Sequence, residues 1–105
     1  MIYIINSPVL TSFGSYNYSS TDVLEIKQLI SNQPFTSAVG HEETATLLTR
    51  LLGVTIPFNR ITLKQEVGDI FVVIKPKTRL EINKLYSDTD IENIGYELGL
   101  LIKIN

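Results

Sequence analysis

Ile70-Phe71-Val72-Val73-Ile74 is an unbroken run of β-forming residues, and such a run reads as a buried strand. A chain of 105 residues holds one core of useful size, not two. The run and every other apolar segment must therefore meet in a single domain over residues 1–105. Just upstream, Arg60 to Glu66 alternates polar and apolar residues, and Val67-Gly68-Asp69 has the composition of a tight reversal. The two together predict a hairpin with strands over 60–66 and 70–74. Pro76 lacks the N–H that a ladder needs and ends the second strand.

The remaining segments fall into place around this pair. Residues 2–6 read as a first strand, closed by the turn signal Asn6-Ser7-Pro8. A short second strand is expected around Ser15-Tyr16-Asn17-Tyr18. Ser20-Thr21-Asp22 marks a helix start, with Val23, Ile26, Leu29 and Ile30 at helical spacing and an end near Asn32, before Pro34. Phe35 to Val39 is a short extended segment leading to Gly40. Ala45, Leu47, Leu48, Leu51 and Leu52 repeat the helical spacing, and Gly53 stands where a C-terminal cap belongs. Thr78 to Ile82 reads as a loop, Ser87 to Ile91 as the start of a short helix, and Tyr96 to Asn105 as a final strand. The predicted class is α+β: one small domain with a mixed, mostly antiparallel sheet and its helices mainly on one face.

Composition removes several functions. There is no cysteine, which excludes disulfides, zinc–thiolate sites and thiol nucleophiles. A single histidine without HxH or HExxH spacing argues against a zinc site, so no metal and no cofactor is expected. A formal net charge of −2 argues against a broad footprint on long DNA or RNA, though it permits a small anion held by a few local cations. No apolar run approaches the ~20 residues of a membrane helix, and Met1 to Asn6 is too short and too neutral for a signal peptide. The expectation is a cytoplasmic protein.

The chemistry-bearing feature is Gly40-His41 at a helix start. A helix start leaves backbone N–H groups unpartnered and carries partial positive charge, which seats a phosphate. Histidine exchanges a proton near neutral pH. Glu42 and Glu43 in the same turn suit the helix dipole but repel an approaching anion. The plainer readings of His41 are a helix cap or a packed core histidine. Gly40 by itself signals a positive φ or a close backbone approach. Arg60 could be a solvated strand residue. Lys75, Lys77 and Arg79 could be a charged loop that pairs with Glu81. Tyr16 and Tyr18 could stack on a base or simply pack. Asp88 and Asp90 are helix-start residues and no carboxylate dyad.

Taken in order, Val39-Gly40-His41-Glu42-Glu43-Thr44, Gly53, Asn59-Arg60-Ile61 and Arg79-Leu80-Glu81, with Asn6 at the end of the first strand, resemble the viral anti-CRISPR ring nuclease family. The resemblance runs from Met1 to about Asp90. It implies a homodimer with a ligand between two equivalent pockets. It implies binding of cyclic tetra-adenylate, the messenger of type III CRISPR defence, and metal-independent cleavage to linear di-adenylate with 2′,3′-cyclic phosphate ends. Carried over by position, His41 is the general acid, while Arg60 and Arg79 contact phosphate or base. Asn6, Gly40, Glu43, Thr44 and Lys75 line the ligand site. The family's catalytic glutamate is the second acid of R-L-E-E-G-K, and here that position is Ile82. Glu81 is the acid that remains, and is the carboxylate assigned to catalysis. Two other functions stay open beside it: sequestration of a cyclic nucleotide without cleavage, and an interaction domain with no nucleotide role.

Overall fold

The structure is a computed structural model and describes residues 1–78, 80 and 86–105. In chain order the elements are β1 (Ile2–Ile5), β2 (Tyr16–Ser20), α1 (Val23–Asn32), β3 (Phe35–Ser37), α2 (Glu42–Leu52), β4 (Ile70–Pro76), α3 (Asp88–Ile94) and β5 (Tyr96–Lys103). The strands form one sheet in the order β2-β5-β4-β1-β3. β1 runs parallel to β3 and β4, while β5 runs antiparallel to β4 and β2. The antiparallel ladders are the longer ones, so the sheet is mixed and mostly antiparallel, as expected.

Each helix begins and ends for a local reason. Asp22 caps α1, its Oδ1 accepting from the Glu25 N–H at 2.8 Å, and Ile26 and Ile30 form the buried stripe of that helix. α1 stops because Gln33, preceding Pro34, takes up extended backbone. α2 closes on Gly53 at φ 69, with the Gly53 N–H bonded to the Thr49 carbonyl. Ser87 and Asp90 form a reciprocal capping box at the start of α3.

Both faces of the sheet are covered. Ile2, Ile4, Val72 and Ile74 pack against Ile26 and Ile30 of α1 and Ala45, Leu48 and Leu52 of α2. Ile5, Phe71, Val73 and Leu101 face the other way and meet Tyr3, Tyr16 and Leu63, with the Tyr3 and Phe71 rings stacked at 5.0 Å. α1 and α2 therefore lie on one face, and chain without regular structure, Leu63 included, lies on the other. Burial on both faces is why β4 reads as an unbroken apolar run.

The expected hairpin does not form. The reversal is real: Gly68 takes φ 89, and the Asp69 N–H bonds the Glu66 carbonyl at 3.1 Å. However, both hydrogen-bonding edges of β4 are occupied by β1 and β5, so residues 60–66 have no edge to join. They cross the second face instead. Leu63 and Gln65 turn inward at the strand-like period of two, but no ladder forms. Gln65 is 1% exposed and holds the Val9–Ser12 loop. Its Oε1 accepts from the Thr11 N–H at 2.8 Å, its Nε2 donates to the Val9 carbonyl at 2.8 Å, and its backbone bonds both the Thr11 and Ser12 hydroxyls. Gln65→Ala keeps the backbone bonds to the Thr11 and Ser12 hydroxyls but strips the Thr11 N–H and the Val9 carbonyl of their amide partner, and should cost about 2–4 kcal/mol in urea denaturation. Glu66→Ala next to it should stay within about 0.5 kcal/mol.

Candidate functional site

Because β1, β3 and β4 run parallel, their C-terminal ends emerge at one edge of the sheet. The chain leaving β3 reaches the start of α2 at that same edge. In sheets with parallel strands such a crevice is a preferred place for a ligand. The lead-in from β3 to α2 is held firmly. Ser37 is buried, and its hydroxyl donates to the Pro57 carbonyl at 2.7 Å and accepts from the Val39 N–H. Val39 is fully buried. Asn59 clamps both ends of this lead-in, its Nδ2 donating to the Ser37 carbonyl at 2.7 Å and its N–H to the Val39 carbonyl at 2.9 Å.

His41 sits at the N-cap position in extended backbone, and its imidazole makes no capping hydrogen bond. It is exposed. Neither plain reading of this histidine fits: it is not the cap of α2, and it is not packed in the core. It opens onto a cleft of about 450 Å³ lined by Asn6 from the end of β1, His41, Glu43 and Thr44 from the start of α2, Lys75 and Pro76 from the end of β4, and Thr78 and Leu80 beyond. Thr44 is buried, Glu43 half-buried and Lys75 exposed. Lys75 and Glu43 form no ion pair among the described residues, so one free cation and one free carboxylate share the cleft with the imidazole.

Asn6, His41, Glu43, Thr44 and Lys75 thus come together. Gly40 and Arg60 stand beside them, since a Cβ on Gly40 would lie 3.5 Å from the Arg60 Cγ. Arg60 itself is exposed. Gly40 does not adopt a positive φ, and a contact of that length is ordinary packing. The conformational demand expected of Gly40 is therefore absent, and the chain's own packing does not require glycine there. Arg79, Glu81 and Ile82 lie outside the described residues. Asn59 was legible only as the neighbour of Arg60; its work is to hold the lead-in to His41. Pro76, Thr78 and Leu80 were missed because nothing local marks them, although their place after a strand of the parallel set is the signal that would have found them.

Other sequence suggestions fall elsewhere. Tyr16 starts β2, at the end of the sheet away from the cleft, where its hydroxyl donates to the Ser12 carbonyl. Tyr18 donates to Glu97 at 3.0 Å and lies over Gly99, where a Cβ would come within 2.3 Å of its ring. Burial, then the hydrogen bond to Glu97 and its charge, raise the Tyr18 pKa, so its phenol stays protonated. Neither tyrosine reaches the cleft. Lys77 packs along Gly95 and is not among the cleft-lining residues. Among the described residues, no group of three or more His, Asp or Glu could hold a metal ion, and no helix is long and apolar enough to cross a membrane.

The sequence matches the STIV B116-like family over residues 2–98. This chain belongs to the STIV B116-like family. Within reach of this B116-like chain are uncharacterized protein 26 of Sulfolobus islandicus filamentous virus, 40% identical over 95% of this chain and 89% of that protein, and uncharacterized protein ORF117 of Acidianus two-tailed virus, 31% identical over 99% and 94%. Uncharacterized protein YddF of Bacillus subtilis is 30% identical over 99% of this chain and 98% of its own. The solved structure of B116 of Sulfolobus turreted icosahedral virus superposes with a TM-score of 0.78 over 99% of this chain and 98% of B116. At 23% identity that match shows a shared fold. Proteins similar to this chain thus occur in viruses and in a bacterium.

Two substitutions separate clamp from cleft. Asn59→Ala removes the Nδ2 bond to Ser37 and should lower stability by about 1–2 kcal/mol in thermal or urea unfolding. Gly40→Ala should change stability by no more than about 0.5 kcal/mol, because the atoms nearest its new methyl belong to the Arg60 side chain, at 3.5 Å or more.

Proposed function

We propose that this B116-like protein binds cyclic tetra-adenylate in the His41 cleft and cleaves it without a metal, as an anti-CRISPR counter-defence protein of the host cytoplasm. The observation that carries the reading is His41 itself: an exposed, uncapped imidazole at a helix start, in one cleft with Asn6, Thr44 and Lys75. The helix start and the Lys75 ammonium suit a phosphate, and Asn6 and the Thr44 hydroxyl offer further hydrogen bonds. In the reaction a ribose 2′-oxygen bonds to its own 3′-phosphorus as the bond to the 5′-oxygen breaks. His41 delivers a proton to the departing 5′-oxygen, and the 2′-proton passes to a carboxylate or to water. The family resemblance supplies Arg79 as a phosphate contact and Glu81 as the remaining acid. Two viral relatives support a viral setting.

A cleft of about 450 Å³ is small for a ring of four nucleotides, whose size suits two clefts better than one. The reading therefore includes a two-fold dimer, in which matched half-sites face a ligand of compatible symmetry. A second reading is favoured by Ile82, which stands in place of the resembled family's glutamate, and by Glu43, which brings negative charge into the cleft. In that reading the protein binds the ring and holds it uncut.

Incubation with cyclic tetra-adenylate, with products resolved by chromatography, separates the two. The expected outcome is linear di-adenylate, with His41→Ala retaining binding while turnover falls by about 10²–10⁴-fold. Equal turnover by wild type and His41→Ala removes the acid role. Binding without product selects sequestration. A ligand that binds the native state must also raise its unfolding temperature, and Lys75→Ala should shrink that shift.

A further inference from the structure

At the other end of the sheet, on the face away from the helices, lies a second groove of about 820 Å³. Leu10, Phe13, Tyr16, Lys64 and Lys103 shape it. Phe13 is fully exposed at 101%, and Leu10 (62%) and Val9 (49%) lie open beside it. A single exposed apolar side chain is common, but three on one short loop above a groove are not.

The loop is not loose at these positions. On one side of Phe13, the Ser12 hydroxyl donates to the Gln65 carbonyl at 2.9 Å and accepts from the Lys103 ammonium at 3.0 Å, and the Ser12 carbonyl accepts from Tyr16 at 2.6 Å. On the other side, Gly14 takes φ 147 against the chain's end, where a Cβ would lie 2.1 Å from the Asn105 carbonyl oxygen. Ser15 and Ile104 add backbone bonds across the same junction. Phe13 is thus pinned at both flanks and held outward. An aromatic ring presented this way can be buried by a partner with little loss of conformational freedom, which is the property of an interface anchor.

The charges say what kind of partner fits. Lys64 and Lys103 line the groove and pair with no acid among the described residues. A two-fold contact between copies that buried Phe13 would bring these ammonium groups towards their own images, which opposes self-association. A nucleic acid could use Phe13, Tyr16 and the lysines, but it has no use for Val9 and Leu10, and the chain carries a net charge of −2. The geometry points to a docking groove for another protein, specifically for a segment in which acidic residues flank a large apolar side chain. The acids meet Lys64 and Lys103, and the apolar side chain packs on Phe13, Leu10 and Val9. This surface is remote from the His41 cleft and does not depend on the reading of that cleft.

Random peptides displayed on phage and panned against the whole protein test the groove, followed by anisotropy measurements on the selected peptides made synthetically. Enriched peptides should carry Asp or Glu around Leu, Phe or Trp. Phe13→Asp and Lys64→Glu should each weaken their binding by about tenfold or more. Phe13→Asp should leave thermal unfolding and cyclic tetra-adenylate binding unchanged, since Phe13 supports neither the core nor the cleft. The proposal is overturned by failure to enrich any peptide, by enrichment of basic ones, or by binding that Phe13→Asp does not alter. A Phe13-dependent dimer in sedimentation gives the surface to a second copy, and Phe13-dependent binding of oligothymidylate gives it to single-stranded nucleic acid. Either result also overturns the proposal.

Discussion

β4 is the strand on which the rest of the molecule depends. Both its hydrogen-bonding edges are taken, by β1 in parallel and by β5 in antiparallel, and both its faces are buried. Backbone N–H and C=O groups inside a protein must be paired, and a strand buried on both faces can meet that demand only from its two neighbours. Once β1 and β5 supply the pairing, the chain that precedes β4 must go elsewhere. It lies across the second face, where Leu63 and the buried Gln65 cover apolar sheet and tie down the Val9–Ser12 loop. A glutamine in that position is more than filler. It satisfies the backbone of an irregular segment that has no ladder of its own.

The same arrangement builds the cleft. Parallel β1, β3 and β4 bring their C-terminal ends to one edge, so Asn6 and Lys75, distant in sequence, flank the start of α2. The lead-in to that helix is clamped by Ser37 and Asn59 and anchored by Val39, which fixes where His41 stands without engaging its imidazole. A histidine left free by a rigid scaffold is available for chemistry in a way that a capping or packed histidine is not. Membership of the STIV B116-like family and the TM-score with B116 agree with this architecture. The chemistry argued for the cleft rests on its side chains.

The two ends of the sheet differ in character. The cleft end is polar and mixes a cation, a carboxylate and an imidazole, as suits a small charged ligand. The opposite end presents an exposed aromatic ring on a backbone held at both flanks, with two ammonium groups that pair with no acid among the described residues, as suits a larger surface. Each pattern comes from loops that the sheet holds in place, which is where binding residues commonly lie.

Local rules made much of this legible in the amino-acid sequence. Asp22, Ser87, Gly53 and the 3.6-residue spacing of Ile26, Ile30, Leu48 and Leu52 mark their helices through short-range hydrogen bonding and periodicity, and tertiary packing respected them. The alternation of residues 60–66 holds only for Leu63 and Gln65, which turn inward, while Ile61 stays exposed, and the expected hairpin partner was misassigned, because periodicity does not tell which backbone edge is free. Gly40-His41 was visible as a helix start. That the imidazole is uncapped, that Asn59 is a clamp, and that Pro76 and Thr78 reach the same cleft are consequences of how β1, β3 and β4 lie side by side. Sequence by itself determined the helices, the strands other than the one expected over 60–66, and the residue types able to handle a phosphate, since those depend on neighbours a few positions apart. Only the tertiary structure decided which strand edges were occupied, and hence which side chains met, because the competition for the two edges of β4 is settled between segments far apart in the chain.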